Sequence, residues 1–418
     1  GAGPAGMAAA LAAAPSGASI VLVDDNPAPG GQIWRDGPGA HLPPLARMHR
    51  ERLAAAPNVR VLTGTRVVGL GDGAQPGDAP ALLLEDNERG WMQHCGRLVL
   101  CTGARELLLP FPGWTLPGVT GAGGLQALIK AGMPVRGQRI VIAGTGPLLL
   151  AAAHTAREAG ARVLRIAEQA PWSQLAGFGL QLPRWPTKAL QALPLLDPSL
   201  RAASHVLEAS GTQQVQSVRL QRGTGEEVLA CDRLACGFGL VPHTHLGQML
   251  GCELNDRLGL AVDAVQATAV PGVFAAGECT GFGGSEKALV EGAMAGHAAV
   301  GESAAALALA PERTRWQAFA DALHRQFALS PQLRKLPRPD TLVCRCEDVS
   351  HAQLSHRSGW IDAKLHTRCG MGPCQGRVCG AATQFLFGWT PMPARHLLAP
   401  ARIVTLAGCD TPADESNP

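Results

Sequence analysis

Two glycine-rich turns, each opening a helical stretch, constrain the fold of this 418-residue chain more than any other feature. The first, Gly1-Ala2-Gly3-Pro4-Ala5-Gly6, runs into alanines up to about Ala14 and stops at Pro15-Ser16-Gly17. Ile20-Val-Leu-Val23 follows as a short apolar strand that ends in Asp24-Asp25. In such a loop Gly1 permits the tight turn, Gly3 lets the backbone approach a pyrophosphate, and Gly6 packs the helix on a sheet. The helix N-terminus then turns free N–H groups toward the phosphates. An acid at the end of the next strand accepts hydrogen bonds from a ribose. Asp24 stands at the usual distance, with Asp25 as the alternative. A strand normally precedes a loop of this kind, and none does here, so the sequence reads as a chain cut at the loop.

The second turn follows an apolar strand, Arg139-Ile-Val-Ile-Ala-Gly144-Thr-Gly146, and leads through a helix to Val163–Glu168. Leu149 stands where a third glycine is expected. A bulky residue there keeps the helix off the strand and alters the seating of NAD(P). Glu168 is placed to meet a ribose and disfavours a 2′-phosphate. Two readings stay open: NAD or another adenine nucleotide on Gly144 and Gly146, or a nucleotide unit kept as scaffold.

Strands alternating with helices make the chain an α/β protein of two dinucleotide-binding units, one inserted in the other. The expected divisions are 1–112 for the first part of one unit, 113–235 for the inserted second unit, and 236–310 for the return to the first. A helical connector at 311–340, a cysteine unit at 341–400 and a tail at 401–418 follow. A single helix is expected from about Lys287 to Ala308, with Gly292 and Gly296 on one face for close packing. Pro337-Arg-Pro339 punctuates entry to the cysteine unit.

Composition excludes several classes. A net charge of +3 argues for neither nucleic acid nor a lipid surface, and a chain without tyrosine offers few stacking platforms. No apolar run reaches transmembrane length. Twelve cysteines without a secretory signal point to a reducing compartment, where metal ligation or redox chemistry outranks structural disulfides. The expectation is a cytoplasmic chain, with room for peripheral membrane association. Cys95, Cys101, Cys231, Cys236 and Cys252 read as small core residues. Neither nucleotide unit carries the close cysteine pair that disulfide reduction needs. His243, His245 and His297 read as satisfied surface or packing residues, and no catalytic acid or base is named.

The close pairs lie near the C-terminus, at Cys344-Arg-Cys346 and Cys374-Gln-Gly-Arg-Val-Cys379, with Cys369 between them. Four soft thiolates suit tetrahedral zinc or a [2Fe–2S] cluster. Cys-x-Cys is shorter than the common zinc knuckle, which favours iron–sulfur. Gly370, Gly372 and Gly376 let the backbone fold tightly round such a centre.

Three further segments accompany the first loop: Pro29-Gly30-Gly31-Gln32, Cys101-Thr102-Gly103, and Val273-Phe-Ala-Ala-Gly277-Glu278. Together the set resembles the two-dinucleotide-domain flavoproteins of the pyridine-nucleotide-disulfide-reductase type, glutathione-reductase-like in fold. That resemblance implies FAD held by Gly1, Gly3, Pro4, Ala5, Gly6, Asp24 or Asp25, Gly31, Gln32, Thr102, Gly103 and Gly277. Glu278 would meet the ribityl–phosphate part, where aspartate is commoner.

Val343-Cys-Arg-Cys-Glu-Asp-Val349 and Thr367-Arg-Cys-Gly-Met-Gly-Pro-Cys-Gln-Gly-Arg-Val-Cys379 resemble the [2Fe–2S] domain related to bacterioferritin-associated ferredoxin. Fused behind such a flavoprotein body, it is similar to the large α subunit of heteromeric amino-acid dehydrogenases and oxidases. That family includes opine oxidase A, D-hydroxyproline dehydrogenase α and hydrogen cyanide synthase B subunits, and the leucine of the second loop is one of its features. The resemblance puts the cluster on Cys344, Cys346, Cys374 and Cys379, with Cys369 a departure that could substitute for one ligand. Arg345, Arg368 and Arg377 are candidates to stabilise the reduced cluster or form a solvated face. It implies a D-amino-acid-oxidase-like FAD β subunit that oxidises the amine carbon, with electrons passing through FAD and [2Fe–2S] to a quinone or dye-like acceptor. Such complexes can hold FMN at a subunit interface and include a small ferredoxin-like subunit. The alternatives are a self-contained NADH-dependent flavin/iron–sulfur reductase and a scaffold with vestigial sites.

Overall fold

The computed structural model describes residues 1–71, 81–390 and 398–407. Residues 391–397 of the expected cysteine unit, and 408–418 of the expected tail, lie outside the described residues.

A five-stranded parallel sheet runs in the order Leu200–Arg201, Arg162–Glu168, Arg139–Gly144, Arg233–Gly237, Val119–Gly121. Its central strand is a nearly unbroken apolar run in which Ile140, Val141, Ile142 and Ala143 are wholly buried, as a sheet covered on both faces requires. The helices Ala122–Lys130 and Leu148–Glu158 cover one face, packing Leu125, Ile129, Leu149 and Ala152 on Ile140 and Ile142. Each large aliphatic side chain buried this way contributes roughly 1.5–3 kcal/mol. An antiparallel three-stranded sheet, Ser204–Ser210, Ser217–Arg222 and Gly225–Ala230, packs with the other face around Val206, Val218 and Leu220.

The first nucleotide unit is held by pairings between distant parts of the chain. Ile20–Val23 runs parallel to Val59–Leu62, and Leu98–Leu100 runs parallel to Val273–Ala275. The helix Pro4–Ala13 lies against the helix Ser285–Ala299, and glycine sets the distance between them. A Cβ on Gly292 would stand 2.1 Å from the Ala5 carbonyl oxygen, and one on Gly296 2.2 Å from that of Ala9. The expected close packing at these two residues is therefore obligatory. The single helix expected to Ala308 is two helices, Ser285–Ala299 and Ser303–Ala308. Gly301, at φ 87°, takes the left-handed conformation that ends the first.

After the helix Ala310–Gln326 the chain passes along the second unit into a small cysteine lobe. Leu342–Cys344 pairs with Val349–Ser350, and Val343, Val349, Leu354, Trp360 and Ala363 form its core. Ser350 opens the helix His351–Ser355 with a reciprocal capping box to Gln353. No helix among the described residues is long and apolar enough to cross a membrane.

Candidate functional site

The first loop is built by close backbone approach. A Cβ on Gly6 would stand 1.9 Å from the Gly1 carbonyl oxygen, and one on Gly1 2.5 Å from that of Cys101. Gly31 presses on Gly3, where a Cβ would lie 3.0 Å from the Gly3 Cα, and Gly30 N donates to Ala2 O at 2.7 Å. Gly277 meets the side chain of Ala5, 2.8 Å from where its own Cβ would be. The structure thus gathers the loop, Gly31, Cys101 and Gly277 around the N-terminal end of one helix. Pro4, at the first helical position, gives up an N–H that has no intrahelical partner anyway. Gln32 and Asp25 are exposed at its margin.

Asp24 is buried, and both its oxygens are committed. One accepts from Ala2 N, the other from Asn26 N and Asn26 Nδ2 at 2.8 and 2.7 Å. This acid fastens the glycine loop, and its neighbour Asp25 is exposed. Glu278 is half-buried, and its carboxyl is pushed above the usual range by burial, with the Lys287 charge opposing.

Sequence reasoning missed Lys287 and Glu291. They are a buried pair, 2.7 Å apart, one turn apart on the helix Ser285–Ala299. Glu291 accepts from Gly277 N and Thr280 Oγ1, both at 3.1 Å, so the pair fixes the turn that carries Glu278. The signal available was a Lys–Glu spacing of four in a helix whose middle, Ala288–Ala295, is otherwise apolar.

In the second loop Leu149 is buried against the sheet, and a Cβ on Gly237 would meet its side chain at 3.1 Å. Gly144 meets Gly237, whose carbonyl oxygen lies 1.9 Å from where a Cβ would be. Glu168 accepts from Gly146 N at 2.7 Å and Ala170 N at 2.8 Å. Burial pushes its carboxyl up to about 7. Thr145 N donates to Gly237 O at 2.7 Å, so two of the loop's amides are already engaged.

The connector then covers the loop. The Phe327 ring lies 3.8 Å from the Cβ position of Gly146, and Thr145 Oγ1 donates to Phe327 O at 3.4 Å. Gln169 clasps the same segment, donating to Ala328 O at 2.8 Å and accepting from Ser330 N at 2.9 Å. Phe327 is further held edge-on by Phe178, with ring centroids 5.2 Å apart.

Thr102 and Gly103 face the cysteine lobe side of the first unit. The Thr102 hydroxyl donates to His243 O at 2.5 Å, and His243 N donates to Gly103 O at 2.9 Å. Two residues further on, Arg105 Nε donates to the carbonyl of Arg377, inside the Cys374–Cys379 loop, at 2.7 Å.

The sulfurs of Cys344, Cys369 and Cys379 lie within 4.8 Å of one another, and all three residues are buried. Tetrahedral bonds of about 2.3 Å hold sulfurs roughly 3.8 Å apart, so the trio fits one thiolate-bound metal. Of the four expected ligands, Cys344 and Cys379 are in this group. Cys346 is exposed and within hydrogen-bonding reach of the Cys374 amide and thiol, a second pair beside the first group. Cys369 and Cys379 donate to Cys344, which pulls the Cys344 thiol down to about 2. The thiol of Cys369 is pushed up to about 12, chiefly by its bond to Cys344, and that of Cys379 is raised further. The three sulfurs thus form one hydrogen-bonded group centred on Cys344.

The three glycines of this loop are sterically required. A Cβ on Gly370 or Gly376 would meet the Trp360 ring at 2.5 and 3.1 Å, and one on Gly372 would stand 2.2 Å from the Cys346 Cβ. Cys231, Cys236 and Cys252 are buried as expected of core residues, whereas Cys95 and Cys101 are only partly so.

A glycine-loop unit with a second nucleotide unit inserted defines the class. The chain belongs to the pyridine nucleotide-disulphide oxidoreductase family, whose model matches residues 1–303, and within it to the relatives of the opine oxidase A subunit. It is 32% identical to the opine oxidase A subunit of Rhizobium meliloti, with 91% of this chain and 89% of that protein covered. Hydrogen cyanide synthase subunit HcnB of Pseudomonas aeruginosa is equally similar, at 32% identity with the same coverage. In fold it is similar to L-proline dehydrogenase from P. horikoshii, with a TM-score of 0.66, 18% identity, and 97% of this chain and 78% of that one covered.

Proposed function

We propose that this chain is the electron-relay subunit of a heteromeric complex that oxidises an amino acid, opine or related amine. In this reading a D-amino-acid-oxidase-like partner subunit oxidises the C–N bond. Electrons then cross this chain to a quinone or dye-like acceptor. FAD would accept electrons as a pair and a [2Fe–2S] centre would pass them on singly. The names of the relatives, each a subunit of an oxidase or synthase, support the heteromeric reading.

The observation that carries the proposal is the Arg105–Arg377 hydrogen bond, which ties the Thr102–Gly103 turn to the Cys374–Cys379 loop. In this reading the flavin would end near the Thr102–Gly103 turn, and the bond supports the proximity to the cysteine lobe that stepwise transfer would need. The residues fit both groups. Gly1, Gly6 and Gly31 let the loop backbone close up at a helix N-terminus, where a pyrophosphate would be met by free N–H groups, and Asp25 is exposed nearby to meet a ribose. Cys344, Cys369 and Cys379 offer a buried set of three sulfurs that a metal would bind as thiolates, with Cys346 and Cys374 beside it. Phe327 and Gln169, closed over the second loop, weigh against a self-contained NADH-dependent reductase.

The test is the chain purified with its neighbouring gene products. Iron, acid-labile sulfide and flavin together, reduced by an amine or imino-acid substrate but not by NADH, are the expected result. Zinc in place of iron, or bleaching of the flavin by NADH alone, overturns it.

A further inference from the structure

We infer that Arg105 and Arg377 are the built-in counter-charge of the cysteine centre, placed between it and the Thr102–Gly103 turn, and that they raise its reduction potential. The inference rests on the relay reading and names residues that act within it. Both are positioning residues: they act through the charge of the centre and touch no reacting carbon.

Arg105 leaves the strand Ala104–Glu106 and donates through Nε to Arg377 O, while its Nη1 is buried with no hydrogen-bond partner among the described residues. Arg377 donates through Nη1 to Cys374 O at 3.4 Å and through Nη2 to the Leu398 carbonyl. His243 and His245 adjoin the same place. Burial, and then the Arg105 charge, pull both imidazoles down to about 4, so they add no cation near neutral pH and no anion either. Burial and the neighbouring Arg377 also draw Arg105 down to about 10.

Among the described residues no carboxylate answers these guanidinia. Glu106, next in sequence, commits its two oxygens to the amides of Gly123 and Gly124, each at 2.8 Å. What the two guanidinia face instead is the cysteine loop itself, Arg105 through the Arg377 carbonyl and Arg377 through the Cys374 carbonyl. Carbonyl oxygens orient a guanidinium without neutralising it, and a buried cation without an anion is unfavourable. A metal centre bound by the neighbouring cysteines would supply that anion. A thiolate-bound iron pair is negative and takes on one more negative charge when reduced. Fixed cations beside it therefore favour the reduced form.

Redox titration of the complex as purified, followed by the electron-spin signal of the reduced centre, tests this. Arg105→Gln should shift the reduction equilibrium about tenfold toward the oxidised form, a midpoint about 59 mV more negative for a one-electron couple. Arg377→Gln should shift it the same way, and Arg105→Lys should restore most of the loss because it keeps the charge. An unchanged midpoint with iron content intact overturns the inference and leaves the relay reading standing. An unchanged midpoint with flavin lost on washing assigns the guanidinia to a flavin phosphate and also overturns it. Lack of iron in the unaltered chain defeats the relay reading itself.

Discussion

The two glycine loops of this protein begin with the same Gly-x-Gly-Pro and end as opposites. In the first, Gly6 lets the helix sit on the loop itself, and what faces the helix N-terminus is more glycine backbone, Gly31 and Gly277. In the second, Leu149 fills the space under the helix with its own side chain, and Phe327 lies across the mouth. Both have a buried acid that accepts backbone amides, Asp24 in one and Glu168 in the other. The fold thus tolerates two versions of one turn: one closed up by glycine backbone, and one filled by side chains that anchors the connector leading to the cysteine lobe.

The contrast breaks first at Gly6. Gly6→Leu would copy the second loop into the first, but its Cβ falls 1.9 Å from the Gly1 carbonyl oxygen, which only backbone movement can relieve. The expected outcome is complete loss of bound flavin with destabilisation of about 3 kcal/mol or more, read from the visible spectrum and thermal unfolding. Flavin retained at wild-type occupancy would erase the distinction between the loops.

The reverse change, Leu149→Ala, should leave flavin content unaltered. It should cost about 2–5 kcal/mol in denaturant unfolding, the usual effect of emptying a packed aliphatic site.

Glu168→Gln sharpens the comparison through pH. The folded protein keeps a proton on Glu168 up to about pH 7, whereas the unfolded chain releases it near 4.5. The folded state therefore binds more protons in that window, and stability falls as pH rises through it. Glu168→Gln should flatten this slope, a difference of at most about 3 kcal/mol between the ends of the window, measured by urea unfolding across pH.

The smallest effect is expected at the connector. Phe327→Ser should uncover the second loop and raise affinity for ADP or NADH about tenfold, roughly 1.4 kcal/mol by calorimetry. An unchanged affinity would mean that Leu149 alone closes the site.

What the sequence revealed, and what it hid, follows from the range of the forces involved. The glycines at 1, 6, 292, 296, 370, 372 and 376 were legible because each answers a local steric demand that only glycine meets. The strands around Ile140 and Val273 were legible as apolar runs bounded by turns. Which of Asp24 and Asp25 is buried was not, because neighbouring side chains at a strand end point opposite ways and register decides between them. Cys369 was read as a departure that could replace a ligand, and the fold places it beside Cys344 and Cys379, which the Trp360 ring and two glycines bring about. The cover of Phe327 on Gly146 joins residues far apart in sequence, with no periodicity to announce it. The break at Gly301 was hidden by alanines on either side that favour helix.

The pairing of Leu98–Leu100 with Val273–Ala275 has a consequence for biosynthesis. The earlier strand leaves the ribosome long before its partner, and at about 5–20 residues per second the wait is on the order of 10–35 s. During that interval the intervening parallel sheet has all its strands and can close by itself, while the N-terminal lobe remains an open half. Nascent chains should therefore mature from the middle outward, with the first lobe completed only when the later strand arrives.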